Sequence, residues 1–188
     1  MARPRSDDKR NAVLAAATRV IASHGLGAPT ALIAKEAGVS NGSLFAYFET
    51  KTVLLNQLYV QLKVETASSA LDGLPDGSDV RAQLSHMWSG WVRWATTDAD
   101  KRRCLAQLSV SDEITVVSKD VGHRAMAGIG EILEACRESG PMRHAPLGLI
   151  VSLMNAVAEA TVDFILHDPA NAQLHSRMGF DAMWRMIA

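Results

Sequence analysis

The turn Ala37-Gly38-Val39-Ser40 constrains this chain more than any other feature. The runs on either side, Thr30 to Ala37 and Asn41 to about Phe48, are each shorter than the ~12–15 residues an isolated helix needs to persist in water. They can hold only by packing on one another and on a third element, which is the outline of a helix-turn-helix. Each turn residue has a job in that outline. Gly38 allows a positive φ, Ala34 is small where two helices approach, and Val39 fills the space beneath. Ser40 is expected to cap the second helix, and Thr30 to cap the first, with Ile33, Ala34 and Ala37 inward.

The remainder also follows a helical period, and no alternating β-branched run marks a strand. Val13, Ala17, Val20 and Ile21 recur at helical spacing until His24-Gly25 stops them. Thr50 is expected to cap a longer helix with Leu55, Leu58 and Leu62 on one face. The stretch Gly73-Leu74-Pro75-Asp76-Gly77-Ser78-Asp79 is the clearest break. Further helices are expected near Val80–Thr97, Lys101–Leu108, Glu113–Glu138 (closed by Ser139-Gly140-Pro141), Leu147–Leu166 and Asn171–Ile187. The reading is an all-α fold of about nine helices, with a three-helix domain over 1–52 and a helical domain over 53–188.

Composition narrows the setting. With 188 residues, 48% hydrophobic and 21% charged, the chain buries a real core and is not of the disordered class. No uninterrupted apolar run approaches the ~20 residues of a membrane span. The opening MARPRSDDKR has no apolar segment behind it, so no secretory leader and a cytoplasmic setting are expected. Cys104 and Cys136 lie far apart without CxxC spacing, against a disulfide framework or structural zinc. The formal charge of −1 is unevenly spread: residues 1–55 carry +3 and the remainder −4. A basic head on an acidic body predicts a polyanion partner for the head.

From Lys9 to Leu62 the sequence resembles the TetR-type transcriptional repressors. The resemblance rests on the Ala15–Ala17 region, His24-Gly25, Ile33-Ala34, Ala37-Gly38-Val39-Ser40, Gly42-Ser43-Leu44-Phe45, Tyr47-Phe48, Lys51 and Leu54-Leu55. It implies a helix-turn-helix DNA-binding domain followed by a ligand-binding and dimerisation domain. It also implies that Thr30, Ser43, Tyr47 and Lys51 hold phosphates of double-stranded DNA, while Asn41, Gly42 and Ala46 face base edges. Ser40 and Phe45 complete that surface, and Phe48 is expected in the core. Two departures stand out. Phe45 replaces the family's usual tyrosine and loses a phenol contact, and Ala46 replaces a larger residue, so direct base readout is sparse. Arg3 and Arg5 are candidates for a flexible arm.

One headpiece offers few base contacts, so a homodimer reading a two-fold operator is expected. The apolar faces suggest where it forms, the alternative being a central helix in a monomeric bundle. In Leu147–Leu166, one face holds Leu147, Ile150, Val151, Met154, Ala158 and Ile165. Another holds Leu149, Leu153, Ala156, Ala160 and Phe164, and only Ser152, Asn155, Glu159 and Asp163 are polar. A helix apolar nearly all round is buried on more than one side. The Asn171–Ile187 helix would add Leu174, Met178, Met183, Trp184 and Ile187 to the interface.

For a small-molecule inducer the candidates are Met87, Trp88 and Trp91, opposed by Met126, with Met154, Asn155 and Glu159 from the Leu147–Leu166 helix. Rings beside adaptable methionines suit a hydrophobic or aromatic ligand, and the same spacing also describes plain core. No cofactor, metal or membrane partner is expected. There is no GxSxG, phosphate-cradling glycine loop or metal-ligand cluster, so an enzyme is not expected. The alternatives are a thiol-responsive DNA-binding regulator using Cys104, whose thiolate the neighbouring Lys101-Arg102-Arg103 would favour, and a constitutive DNA-binding or interaction module.

Overall fold

The structure, a computed structural model, describes residues 4–75, 79–138 and 140–188, with the side chains of 4–6 left aside. The described residues form ten α-helices, a short 3-10 turn at Pro169–Asn171 and no strand. The helices are α1 (Pro4–His24), α2 (Thr30–Glu36), α3 (Asn41–Tyr47), α4 (Lys51–Leu71), α5 (Val80–Thr97), α6 (Ala99–Ser109), α7 (Val116–Ala125), α8 (Ala127–Arg137), α9 (Leu147–His167) and α10 (Ala172–Ile187). The expected arm residue Arg3, residues 76–78 of the expected break and Ser139 lie outside the described residues, as does the Arg5 side chain.

Three local expectations are corrected. The single helix expected over Glu113–Glu138 is two helices, α7 and α8, separated at Met126, whose φ of −94° and ψ of 4° lie outside helical geometry. Residues before Val116 form a turn instead of a helix, and the Thr115 hydroxyl accepts from Ser118 N at 3.3 Å. Thr30 is not the cap of α2. Pro29 takes that position, extended and without a side-chain bond, and Thr30 is the first helical residue.

The chain divides into two compact units: Met1–Val64 with Asp98–Arg124, and Glu65–Thr97 with Ala125–Ala188. The expected cut after residue 52 falls inside α4, and α6 belongs to the first unit, not to the body. The physical reason is packing: α6 lies on α1, burying Cys104 and Leu108 completely. Gln107 Nε2 also donates to the Ile21 carbonyl at 3.1 Å.

The first unit centres on Leu14, Ile21, Ile33, Leu44, Phe48, Leu55 and Leu58, all essentially inaccessible to solvent. Burying each such side chain contributes roughly 1.5–3 kcal/mol, which short helices like α2 and α3 need in place of intrinsic propensity. Gly38 adopts φ +66° in the turn, where a Cβ would be strained. Asn56 is a buried strut. Its amide donates to the Thr52 and Glu113 carbonyls at 2.8 Å each and accepts from Thr115 N at 2.9 Å, fixing the α6–α7 connection to α4.

The second unit packs α5, α8, α9 and α10 around Leu84, Met87, Leu133, Ile150, Val162, Met183 and Ile187. Three glycines permit the closest approaches, Gly140 against the Ile187 carbonyl among them. A Cβ on Gly90 would collide with the Ser69 carbonyl, and one on Gly179 with Thr161 Oγ1. α9 is 21 residues long with a mean hydropathy of 1.7 over its most apolar stretch, although Ser152, Asn155, Glu159 and Asp163 interrupt its apolar run. Its apolar residues go two ways. Ile150, Ala158, Val162 and Ile165 enter the core, while Leu149, Phe164 and Leu166 stay exposed.

Candidate nucleic-acid interface and ligand cavity

At the start of α3, Ser40 Oγ accepts from Ser43 N at 3.0 Å and lies 2.9 Å from Ser43 Oγ. The expected cap is formed, and it draws the Ser43 hydroxyl towards Ser40. Leu44 is fully buried and fixes the helix on the core. Asn41, Gly42, Ser43 and Ala46 are exposed, Phe45 is 40% exposed, and Tyr47 and Thr30 are half-buried. The helix carries no charged side chain. What it presents is one carboxamide, hydroxyls and open backbone at a helix N-terminus, groups that suit base edges and phosphates.

Lys51 sits differently from the sequence reading. Its ammonium donates to the carbonyls of Leu26 at 2.6 Å and Ala28 at 2.8 Å, tying the α1–α2 connection to the start of α4. Two of its three N–H donors are spent, leaving one for a phosphate. Sequence spacing carries no signal of a side chain aimed at remote carbonyls.

The first unit holds 13 Lys and Arg against 9 Asp and Glu, the second 6 against 11; residues 98–124 are balanced, and Lys63 of α4 adds the one charge beyond residue 55. Several of these cations are occupied. Arg19 pairs with Glu36 at 2.8 Å. Arg10 donates to Gln57 at 2.6 Å with its guanidinium 5.5 Å from the Phe48 ring centre. Lys9 and Lys35 are exposed with no ion pair among the described residues.

In the second unit, Met87, Trp88 and Trp91 of α5 meet Met126, and Met154 and Asn155 of α9, around a cavity of about 50 Å³. Ala70, Leu84, Ile129, Ala158 and Met183 complete the lining. Glu159 is not among the lining residues. The Trp88 indole donates to the Ser176 carbonyl at 3.0 Å and to its hydroxyl at 3.1 Å. Sequence reasoning assigned Met183 and Ile187 to the outer surface of the last helix, but both are fully buried. Leu174 and Met178, 49% and 61% exposed, hold the outer face instead. Met178 lines an open apolar groove with Phe164, Val157 and Ala160 of α9.

Cys104 is fully buried, against the alternative of a thiol-responsive switch. Burial, reinforced by Asp100, pushes the thiol up to about 12, and the neighbouring cations do not offset it. Burial likewise pushes Cys136 up to about 11. A thiol so placed is a poor nucleophile.

A capped helix-turn-helix head joined to an all-helical body defines a class of bacterial DNA-binding regulators. Residues 13–58 match the sequence profile described as "Bacterial regulatory proteins, tetR family". Solved relatives extend the likeness over the chain. One from Marinobacter aquaeolei VT8, a TetR family transcription regulator, has a TM-score of 0.85 at 25% identity, covering 97% of this chain and 96% of that one. A tetR family protein from Shewanella sp. PV-4 gives 0.82 at 26% identity, covering 94% and 96%. The fold is also similar to the TetR-like regulator LfrR from Mycobacterium smegmatis in complex with proflavine, with a TM-score of 0.68 at 18% identity, covering 96% and 98%. The matched head and the fold of the whole chain are those of TetR-family transcription regulators.

Proposed function

We propose that the chain is a ligand-responsive repressor that binds a two-fold operator as a homodimer and leaves it when a small hydrophobic or aromatic molecule enters the α5–α9 cavity. The observation that carries this reading is the exposed, uncharged N-terminal end of α3 on a head whose turns are fixed from within. Asn41 reads a base edge, Gly42 lets the backbone come close, and Ala46 meets a thymine methyl. Thr30, Ser43, Tyr47 and the remaining donor of Lys51 hold phosphates. The α9–α10 surface, with Phe164 65% exposed, supplies the second copy's seat.

Release follows as a shift between two states of the dimer, one favoured by operator and the other by ligand. The coupling is reciprocal, so operator lowers ligand affinity by the factor by which ligand lowers operator affinity. Asn41→Ala tests the DNA contact. Loss of one good base contact, about 1–3 kcal/mol, weakens binding to the preferred duplex about 5- to 150-fold while binding to arbitrary duplex is unchanged. Equal affinity of variant and wild type for the preferred duplex contradicts the reading.

A further inference from the structure

We propose that the cavity takes an uncharged molecule of one or two aromatic rings bearing a single hydrogen-bonding group, and that Asn155 selects it. The proposal rests on the ligand-responsive reading and names the ligand class.

Among the described residues, none that lines the cavity is charged. An ionised ligand would leave water for methionine, tryptophan and aliphatic walls with no counter-charge, and that desolvation would go uncompensated. Glu159 lies one turn beyond Asn155 on α9, engages in interactions of its own and does not line the cavity. A cation such as proflavine therefore lacks a carboxylate partner here.

The walls combine a fixed plane with movable sides. Two hydrogen bonds to Ser176 and an edge-on contact with Phe180, centroids 6.3 Å apart, hold the Trp88 ring in place. Met87, Met126, Met154 and Met183 line the same cavity. At about 50 Å³ the cavity is smaller than the roughly 150 Å³ that holds a benzene, so occupation requires it to open. Unbranched thioethers change rotamer readily and make favourable sulfur–ring contacts, so the room gained fits one or two rings against Trp88. Asn155 is exposed at the edge of the lining, and its amide makes no hydrogen bond among the described residues. It offers one donor group and one acceptor to a hydroxyl or carbonyl on the ligand.

Calorimetry on the full chain tests this with 2-naphthol, 2-naphthoate and 2-naphthylmethylammonium, which share one ring system. The neutral probe is expected to bind at least tenfold more tightly than either ion. Asn155→Leu is expected to weaken 2-naphthol about tenfold and leave unsubstituted naphthalene unchanged, while Asn155→Asp raises the affinity for the ammonium probe. Methyl NMR of the methionines places the probe, with shifts at Met87, Met126, Met154 and Met183. Either ion binding wild type as tightly as 2-naphthol overturns the ligand class and leaves the ligand-responsive reading standing. So do shifts confined to other methionines. Failure of all four probes to bind the folded protein overturns the proposal, and release of bound duplex by other compounds then judges the broader reading separately.

Discussion

In the unit formed by Met1–Val64 and Asp98–Arg124, polar side chains are committed to holding backbone. Lys51 binds two loop carbonyls, Asn56 clamps the α6–α7 connection, Gln107 reaches the end of α1, and Ser40 closes α3. In the unit formed by Glu65–Thr97 and Ala125–Ala188 the composition changes. All four tryptophans and seven of the eight methionines lie there, and Trp88, Trp91, Met87, Met126, Met154 and Met183 line a small cavity. The contrast follows from two tasks. Reading a duplex needs groups held in register, so side-chain hydrogen bonds remove freedom from short helices. Admitting a ligand needs walls that rearrange at little cost, which methionine provides. The charge imbalance, +4 in the first unit and −5 in the second, follows the same division.

Substitutions can break that contrast. The largest effect is expected at the α9–α10 surface. Phe164→Glu combined with Met178→Glu puts four carboxylates into the proposed two-fold contact and weakens self-association at least 100-fold, about 2.7 kcal/mol or more. Both side chains are exposed, so the helical circular dichroism signal stays unchanged. Sedimentation equilibrium reads the result, and an undiminished dimer would place the interface elsewhere.

A smaller change is expected from Lys51→Met, which keeps the aliphatic stem and removes the donors to Leu26 and Ala28. Charge-assisted bonds of this kind contribute about 1.5–3 kcal/mol. Urea unfolding monitored in the first unit should show a loss near 2 kcal/mol, larger than any change in affinity for arbitrary duplex. The reverse order would make Lys51 chiefly a phosphate ligand.

The smallest effect concerns Cys104. Its folded pKa is raised to about 12 from an ordinary value near 9, so the fold favours the neutral thiol. That stability is complete below pH 9 and is lost as pH rises towards 12. At pH 10 the loss amounts to about 1 kcal/mol. Cys104→Ala removes this alkaline component, and wild type and variant should converge in stability between pH 9 and 10. Rapid alkylation of Cys104 in the folded chain at neutral pH would contradict its burial.

The turn was legible in the sequence because its chemistry is local. Gly38 was expected at positive φ, Ser40 as a cap, and Phe48 against the core, and each follows from a neighbour within four residues. The two apolar faces of α9 were legible for a similar reason, since a helix reports its surroundings in its own period. What escaped depends on distant partners. Nothing near Lys51 announces the carbonyls of residues 26 and 28. The assignment of α6 to the first unit rests on Cys104, Leu108 and Gln107 meeting α1, more than 80 residues away in the chain. The break at Met126 was masked because α7 and α8 both continue a helical pattern, and only backbone geometry separates them. Met183 was misplaced because one turn of α10 carries apolar side chains both inward and outward. For the cavity, sequence spacing identified the α5 methionine and tryptophans but could not separate a lining residue from Glu159, one turn further along α9.

Selection of the full chain against a pool of randomised duplexes, at several salt concentrations, tests the central claim most directly. The account predicts enrichment of an inverted repeat whose half-sites lie about one helical turn, ~34 Å, or a multiple of it apart, with enrichment lost in Asn41→Ala. Recovery of no sequence above the background of arbitrary duplex, or of the same motif by the Asn41→Ala variant at undiminished strength, would contradict it.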